Sequence, residues 1–408
     1  MSLQPTVIIV GAGIGGLASA VALRQAGHKI IVLERYSNKR EVGFAVSLSP
    51  NANMVLRDLG VDFKSARMVY CTEEVIIQAA PAEQPFQVLW RKSLANLEEE
   101  EGAGVPVEIV EGVSAVHFDA AGSITLHNGE MLRADFIVAA DGVKSKAHRV
   151  IMKDGEERPA TLTVSNVRVC MPTKVLMEDK ELKEFMELAP HGTSPLFTEY
   201  SNLLQNFGFY AVTDNNQPAN KQKCNKQTAK QVACDHIKTF HPSLHKMLDY
   251  CDEDDMYLWK VADREPLPTY HKDHLIVLGD AAHPMLPTLG SGAGMAIEDA
   301  GALGVVMEEV KDVGEVAGRL DLWDRLRRPR ASAVQLLSRT VAVEYDLSKE
   351  TQDMVRQYLS EEELPDFTRA CVNRMLFRYD YLGEARRAMQ DMTDSAICAR
   401  IKHFGAAH

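Results

Sequence analysis

The chain opens with an unbroken apolar run, Val7-Ile8-Ile9-Val10, whose β-branched residues do not alternate with polar ones. That is the pattern of a strand covered on both faces in a parallel sheet. Apolar residues then recur at helical spacing from Leu17 to Ala26 and stop at Gly27, a helix terminator. A second apolar strand follows over Lys29 to Leu33 and is closed by Glu34. Gly11-Ala12-Gly13-Ile14-Gly15-Gly16 joins the first strand to the helix and matches G-x-G-x-x-G at Gly11, Gly13 and Gly16. Strand, glycine turn, helix and strand make one complete βαβ unit. Val7 to Leu23 is seventeen residues without a charge, at the short limit of a membrane span. Nothing basic precedes it and glycines interrupt it, so it reads as the βαβ unit rather than as a span or a signal peptide.

Two later segments repeat the pattern of strand followed by turn. Ala134 to Ala140 is an apolar strand running into Asp141-Gly142-Val143-Lys144-Ser145. His274 to Leu278 is another, ending in Gly279-Asp280 and continuing through Ala281-Ala282-His283-Pro284. The stretch Leu286 to Met295 is rich in glycine and precedes an apolar-periodic helix from Ala296 to Val310. Elsewhere, Glu98 to Glu101 ends a surface helix and Asn215 to Lys226 is a polar, basic, solvated loop. Asp252 to Asp255 is a surface acidic run whose spacing fits no calcium loop. The last sixty residues mix charged and apolar positions at helical spacing, for helices that pack on the first domain or form a dimer contact or cap.

The chemistry follows from these placements. In such a unit the first glycine makes the tight turn, the second lets backbone approach a pyrophosphate, and the third lets helix and strand pack closely. The helix N-terminus adds partial positive charge, and Glu34 is placed to accept hydrogen bonds from a ribose. The unit leaves FAD, NAD and NADP all open, and Arg35 leaves room for a 2′-phosphate. A carboxylate after a strand, as at Asp141 and Asp280, suits sugar or ribityl hydroxyls; for Asp280 a helix N-cap is the alternative. A glycine turn opening a helix suits contact with a flat ring and stabilises negative charge on it.

Composition narrows the class. With 45 basic and 57 acidic residues among 408, the net charge is −12, which argues against nucleic acid as a partner. Apolar residues at 46% and charged ones at 25% describe an ordinary globular protein. The seven cysteines are scattered with no C-x-x-C pair, so neither a disulfide framework nor a zinc site is expected.

In this setting the sequence resembles the single-component FAD-dependent aromatic hydroxylases, specifically the salicylate hydroxylase-like branch with its many fungal members. The resemblance covers nearly the whole chain. It rests on the glycine turn with Glu34, on Asp141-Gly142 of a D-G motif, and on Gly279-Asp280 of a G-D motif. Arg40 to Ala52 is similar to the family's E-x-G-A-G-I-x-L-x-P-N-A loop, and Arg91-Lys92-Ser93-Leu94 to its R-x-x-L. Trp259 with Asp263-Arg264-Glu265-Pro266 matches W…D-R-x-P, and Leu376 to Asp380 looks like the aromatic-Y-D segment near the family's C-terminus.

The resemblance implies an α/β fold. A Rossmann-like FAD-binding domain of the p-hydroxybenzoate hydroxylase type would span residues 1–160 and 265–345. An inserted antiparallel-sheet substrate domain would span 161–264, with C-terminal helices over 346–408. FAD would be held by Gly11, Gly13, Gly15, Gly16, Glu34, Arg35, Ala45, Arg91, Asp141, Asp280, Gly290, Gly292, Ala293 and Gly294, with NADH or NADPH as co-substrate. Arg168, Tyr200 and Pro287 are the catalytic candidates. The implied reaction is oxygen insertion into a small phenolic or heteroaromatic substrate through a flavin C4a-hydroperoxide. Related flavin chemistry (epoxidation, Baeyer–Villiger-type oxidation or dehydrogenation) and a non-catalytic flavin-fold binding protein are the alternatives.

Arg168 on a strand also fits a residue facing solvent, and His283 fits a structural residue of its turn better than a base. The family's pocket tyrosine corresponds to Ser194 here, in a segment that looks shorter, so Tyr200 or Tyr210 are stand-ins that also fit ordinary core. Ser291 replaces a frequent glutamine of the glycine loop. Without a signal, span or lipidation motif, the cytoplasm is the expected location, with a monomeric or homodimeric protein.

Overall fold

The computed structural model describes residues 5–37, 46, 48–66, 68, 73–78, 87–93, 108–152, 158, 161–187, 204–212, 226–238, 241–251, 256–310, 312–339 and 347–392. Strand β1 (Thr6–Val10) and helix α1 (Ile14–Gln25) lead to β2 (Lys29–Glu34) and α2 (Pro50–Asp58). Next come β3 (Glu73–Gln78), β4 (Gln87–Ser93), β5 (Glu108–Glu111), β6 (Ala115–Asp119), β7 (Ser123–Leu126), β8 (Met131–Arg133) and β9 (Phe136–Ala139). Helix α3 (His148–Ile151) and β10 (Thr161–Pro172) are followed by α4 (Thr173–Glu178), α5 (Lys180–Glu187) and β11 (Leu204–Val212). Then come α6 (Lys226–His236), α7 (Pro242–Asp249), β12 (Met256–Asp263), β13 (His271–Lys272) and β14 (Leu275–Val277). Helices α8 (Gly292–Val306), α9 (Val316–Leu337), α10 (Lys349–Val355) and α11 (Arg369–Phe377) complete the order, and residues 381–392 are helical as well.

A six-stranded sheet in the order β13-β14-β9-β1-β2-β5 forms the centre. Its inner strands run parallel, with Ile8 beside Ile31 and Ile137, and Ile276 beside Val138. Val7, Ile9, Phe136 and Ile276 are fully buried, which accounts for apolar runs without alternation: both faces of the sheet are covered. Helices α1 and α8 cross one another tightly, because a Cβ at Gly304 would come within 2.9 Å of the Ala22 Cβ. A second sheet, β11-β10-β12, is antiparallel, with α6 laid across it. Two small antiparallel sheets, β3-β4 and β6-β7-β8, complete an α/β fold of a parallel sheet, antiparallel sheets and C-terminal helices. No helix of the described residues is long and apolar enough to cross a membrane.

Several boundaries differ from the spacing alone. Helix α1 starts at Ile14 rather than Leu17, so Gly15 and Gly16 lie in its first turn. Helix α8 runs from Gly292 to Val306 rather than from Ala296 to Val310, taking the glycines into the helix. Their lack of side chains is what lets that end approach α2, since a Cβ at Gly294 would lie 3.3 Å from the Ser49 Oγ. Lys226 opens α6 instead of closing a loop. Asp280 is no N-cap: it sits inside a 3-10 turn, Gly279–Ala281, whose cap position is Leu278. Glu98 to Glu101 and Asp252 to Asp255 lie outside the described residues, as does most of Asn215 to Lys226.

The apolar helix α8 carries two acids that a helix in that position would ordinarily not tolerate. Glu298 and Asp299 are both 0% exposed. Arg327 of α9 bonds both, Nε to Asp299 Oδ1 at 2.9 Å and Nη2 to Glu298 Oε2 at 3.0 Å. Arg330 adds Nε to Glu298 Oε2 at 2.8 Å and Nη2 to Glu298 Oε1 at 3.1 Å. Burial alone would raise Asp299, but His283 and Arg327 outweigh it and hold the carboxyl below its ordinary value. Arg330 also donates to the Met375 and Leu376 carbonyls, and Asn51 of α2 donates to Glu298 Oε1 and to the Leu376 carbonyl. The Tyr379 ring lies 3.9 Å from the Arg330 guanidinium, which gives the aromatic-Y-D segment a structural place. Two carboxylates and two guanidiniums thus neutralise one another in the core. Arg327→Met strands a buried negative charge and is expected to cost about 3–5 kcal/mol of unfolding free energy. Urea denaturation measures this, and a loss below about 1 kcal/mol contradicts it.

Candidate functional site

The carboxyl ends of β1, β2, β9 and β14 line one edge of the parallel sheet, with Val10 beside both Leu33 and Ala139, and Ala139 beside Val277. Strand order reverses at β1, which has β2 on one side and β9 on the other, and that reversal opens a crevice at the strand ends. The glycine turn after β1, Glu34 at the end of β2, Asp141-Gly142 after β9 and Gly279-Asp280 after β14 lie along it.

Gly11 turns the chain with φ +104, and a Cβ on it would sit 2.5 Å from the Ala140 oxygen and 3.0 Å from Asp141 Cα. At Gly16 a Cβ would be driven into the Gly11 carbonyl oxygen, so the helix can start this close to the strand only without a side chain. Gly15 faces the other way: its Cβ would come within 2.8 Å of Leu278 and 3.2 Å of Ala296, which brings α1 against β14 and α8. Gly13 differs from all three, since a Cβ there meets nothing within 4 Å. The loop has an open side at the position where backbone must approach a ligand. Glu34 reaches back over this loop, accepting the Ala12 amide at 2.8 Å and the Tyr36 amide at 2.9 Å. The Arg35 guanidinium lies 4.6 Å from the Tyr36 ring, and its charge acts on Asp141.

Asp141 is half-buried and its Oδ1 has no hydrogen-bond partner among the described residues. Burial pushes its carboxyl above the ordinary value against the opposing pull of Ser145 and Arg35. Asp280 is open to solvent, yet protein crowds it closely enough that desolvation raises it too, against His283 and Arg264. Arg264 is buried and ties the two acidic turns together, donating to the Ala281 carbonyl at 3.0 Å and the Val143 carbonyl at 3.1 Å. Desolvation lowers Arg264, while Asp280 supports its charge.

Pro287 opens a 3-10 turn, Pro287–Leu289, that closes on Gly290 in the left-handed conformation (φ +59). Ser291 then occupies the cap position of α8, with Gly292 and Ala293 half-buried and Gly294 buried in its first turn. His283 is fully buried, with Nε2 2.6 Å from Asp299 Oδ2, a structural residue of the turn rather than a free base. Arg91 lies on β4 opposite Val75, and Arg168 on β10 between Gly208 and Tyr257. The side chains of both, and Ala45, Ser194 and Tyr200 entirely, lie outside the described residues. Among the described residues no three His, Cys, Asp or Glu side chains converge to hold a metal.

Sequence reasoning quoted Arg264 without a role and passed over Glu298, Asp299, Arg327 and Arg330. The signal was present in one respect: two adjacent acids interrupt an otherwise apolar helix, and such acids need partners.

A glycine loop ahead of one helix, carboxylates at neighbouring strand ends and a left-handed glycine opening a second helix make a dinucleotide-binding site of the doubly wound kind. Residues 4–338 match the family described as FAD binding domain. A FAD-dependent monooxygenase of Aspergillus candidus, cfoG, is 30% identical over 424 residues, covering 94% of this chain and 95% of that protein. Another from Diaporthe leptostromiformis, phomE′, is 29% identical over 389 residues, covering 88% and 96%. In structure, a salicylate hydroxylase substrate complex superposes with a TM-score of 0.65 at 20% identity, covering 94% of this chain and 98% of that one. The chain belongs to this FAD-binding family of flavin-dependent monooxygenases, and FAD is its cofactor. Its own atoms fit that group: an open glycine loop at Gly13, an Asp141 Oδ1 without a partner among the described residues, and an exposed Asp280 just after β14.

Two outcomes follow from this geometry. Gly13→Ala leaves apo stability unchanged and weakens FAD binding by about tenfold or more, because the methyl group enters only the open side. Gly16→Ala costs stability itself, by about 1–3 kcal/mol. Thermal melts with a fluorescence titration of FAD separate the two, and equal melting losses contradict the assignment. The second outcome concerns Asp280, whose folded pKa lies above its unfolded one. It contributes stability in full only below the unfolded value, near 3.8, and loses that contribution as pH rises through the folded value. Apo Asp280→Asn therefore melts higher than the parent at about pH 7, with the margin vanishing toward about pH 4. A lower melting point at both pH values contradicts a raised Asp280 carboxyl.

Proposed function

We propose that the protein consumes NADH or NADPH and inserts one oxygen atom of O2 into a small phenolic or heteroaromatic substrate. The observation that supports this most is the meeting of Gly11 to Gly16, Glu34, Asp141, Asp280 and the Pro287–Gly294 turn at one sheet edge. In this reading residues 1–160 and 265–345 form the FAD domain, and 161–264 form the substrate side.

Glu34 accepts the adenosine ribose hydroxyls, and the open face at Gly13 admits the pyrophosphate. Arg91 neutralises phosphate, Asp280 accepts from the ribityl chain, and Asp141 and Arg35 serve the crevice where dinucleotides approach. Pro287, Gly290, Gly292, Ala293 and Gly294 pack against the flat ring, and the N-terminus of α8 stabilises negative charge developing on it. Bound FAD supplies the redox chemistry, taking two electrons from the nicotinamide and activating O2. The balance is one oxygen atom into the ring C–H bond to give C–OH and the other to water, with a proton taken from solvent. Arg168 holds the substrate oxygen as an anion, which raises the electron density of the ring, and Tyr200 completes that contact.

Oxidation of NADH and NADPH by the FAD-loaded protein, with and without salicylate-like acids and with peroxide followed, tests the reading. Stimulated oxidation, little peroxide and a hydroxylated product are expected. Arg168→Met should raise KM for the phenolic acid and release more peroxide while FAD stays bound. No stimulation by any phenol despite full FAD loading would overturn the hydroxylase assignment.

A further inference from the structure

The end of α9 carries a cluster of buried polar side chains. Further back, Asp324 accepts the Tyr270 amide and Arg330 reaches the Met375 and Leu376 carbonyls; at the helix end three more polar side chains reach two further segments of backbone. Gln335 and Ser338 are both fully buried, and neither belongs to a motif quoted for the family resemblance. The Gln335 Nε2 donates twice, to the Arg264 carbonyl at 2.7 Å and to the Pro284 carbonyl at 2.9 Å. Ser338 Oγ accepts the Leu286 amide at 3.0 Å and donates to the Gln335 carbonyl at 2.6 Å. Thr288 Oγ1 donates to the Ser338 carbonyl. The turn from Pro284 to Thr288, which leads straight into Gly290, is therefore hung from α9 by three hydrogen bonds.

The same helix end grips the other segment. Arg339 bonds Asp263 Oδ2 at 2.7 Å, Glu265 Oε1 at 2.9 Å and the Arg264 carbonyl at 3.3 Å. Asp263 is the last residue of β12, the strand that pairs with β10 along the residues around Arg168. One helix turn thus holds both the exit of the antiparallel sheet and the turn that carries Pro287.

We infer that Gln335 and Ser338 are positioning residues, forming a clasp that fixes the Pro284–Gly290 turn relative to the β10–β12 sheet. This rests on the FAD site described above; both side chains are fully buried and act through the turn they hold. Met285 and Leu289 pack on the apolar cluster of α9, α10 and α11, but that packing is non-directional, and Pro284 and Pro287 have no amides to fix the turn's backbone. A buried amide that donates to two carbonyls from segments far apart in sequence sets their separation as a spacer of fixed length. Removing it frees two carbonyls and lets the segments move independently.

Hydrogen exchange read by mass spectrometry, on apo and FAD-loaded protein, gives a test that does not depend on turnover. In Ser338→Ala and in Gln335→Met, amides over 284–292 should exchange about tenfold or more faster, while those over 11–16 stay at the parent rate. Ser338→Thr, which keeps the hydroxyl, should restore the parent rate. The visible absorption band of bound FAD should shift in Ser338→Ala and return in Ser338→Thr, a signature that a general loss of stability does not produce. If Gln335→Met fails to fold, the serine pair decides alone. Parent-like exchange over 284–292, or an unshifted flavin band with faster exchange everywhere, overturns the clasp. Failure of the parent protein to hydroxylate any phenol would leave these readouts intact, so the two assignments fail separately.

Discussion

Two carboxylates side by side in a protein core are costly to desolvate, and here Glu298 and Asp299 are accommodated by the guanidiniums of Arg327 and Arg330. Much of the molecule is arranged around that pairing. Apolar packing would permit α8 and α9 to slide or rotate against one another, because burial is indifferent to direction. Bidentate contacts between guanidinium and carboxylate are not. They set the rotation of α8, and with it the direction in which its glycine-rich first turn faces. Through Asp299 they also hold His283, three residues beyond Asp280, and through Arg330 and Asn51 they capture the carbonyls at the end of α11. The C-terminal segment is fastened to α8 and α9 by charge and by the Tyr379 ring.

Around this rigid centre the cofactor edge is assembled from close approaches. Gly11 against Ala140, Gly16 against Gly11, Gly15 against Leu278 and Gly304 against Ala22 each bring backbone or small side chains nearer than any larger residue allows. The consequence is a crevice bordered by backbone amides and by carboxylates whose ionised forms are poorly solvated. Asp141 and Asp280 both lie above their ordinary pKa for that reason. In their ionised form such groups work against the stability of the protein.

The βαβ unit, Glu34, the strands ahead of Asp141 and Asp280 and the glycine turn after Pro287 were all determined by sequence alone. Each is a local pattern, in which strand burial, helix spacing and glycine placement follow from neighbours within a few residues. Helix boundaries were less accurate, because Gly15 and Gly292 entered helices where tertiary packing favours the absence of a side chain over intrinsic propensity. What only the tertiary structure decided is which buried polar group meets which. Arg264 joins Val143 to Ala281, Arg327 meets Glu298 and Asp299, and Gln335 spans Arg264 and Pro284. These partners stand tens of residues apart, and periodicity along a chain records that a position is buried but not what faces it. Hydrogen bonds and ion pairs take their direction from three-dimensional neighbours, so they become legible only once the sheet and helices have brought those neighbours together.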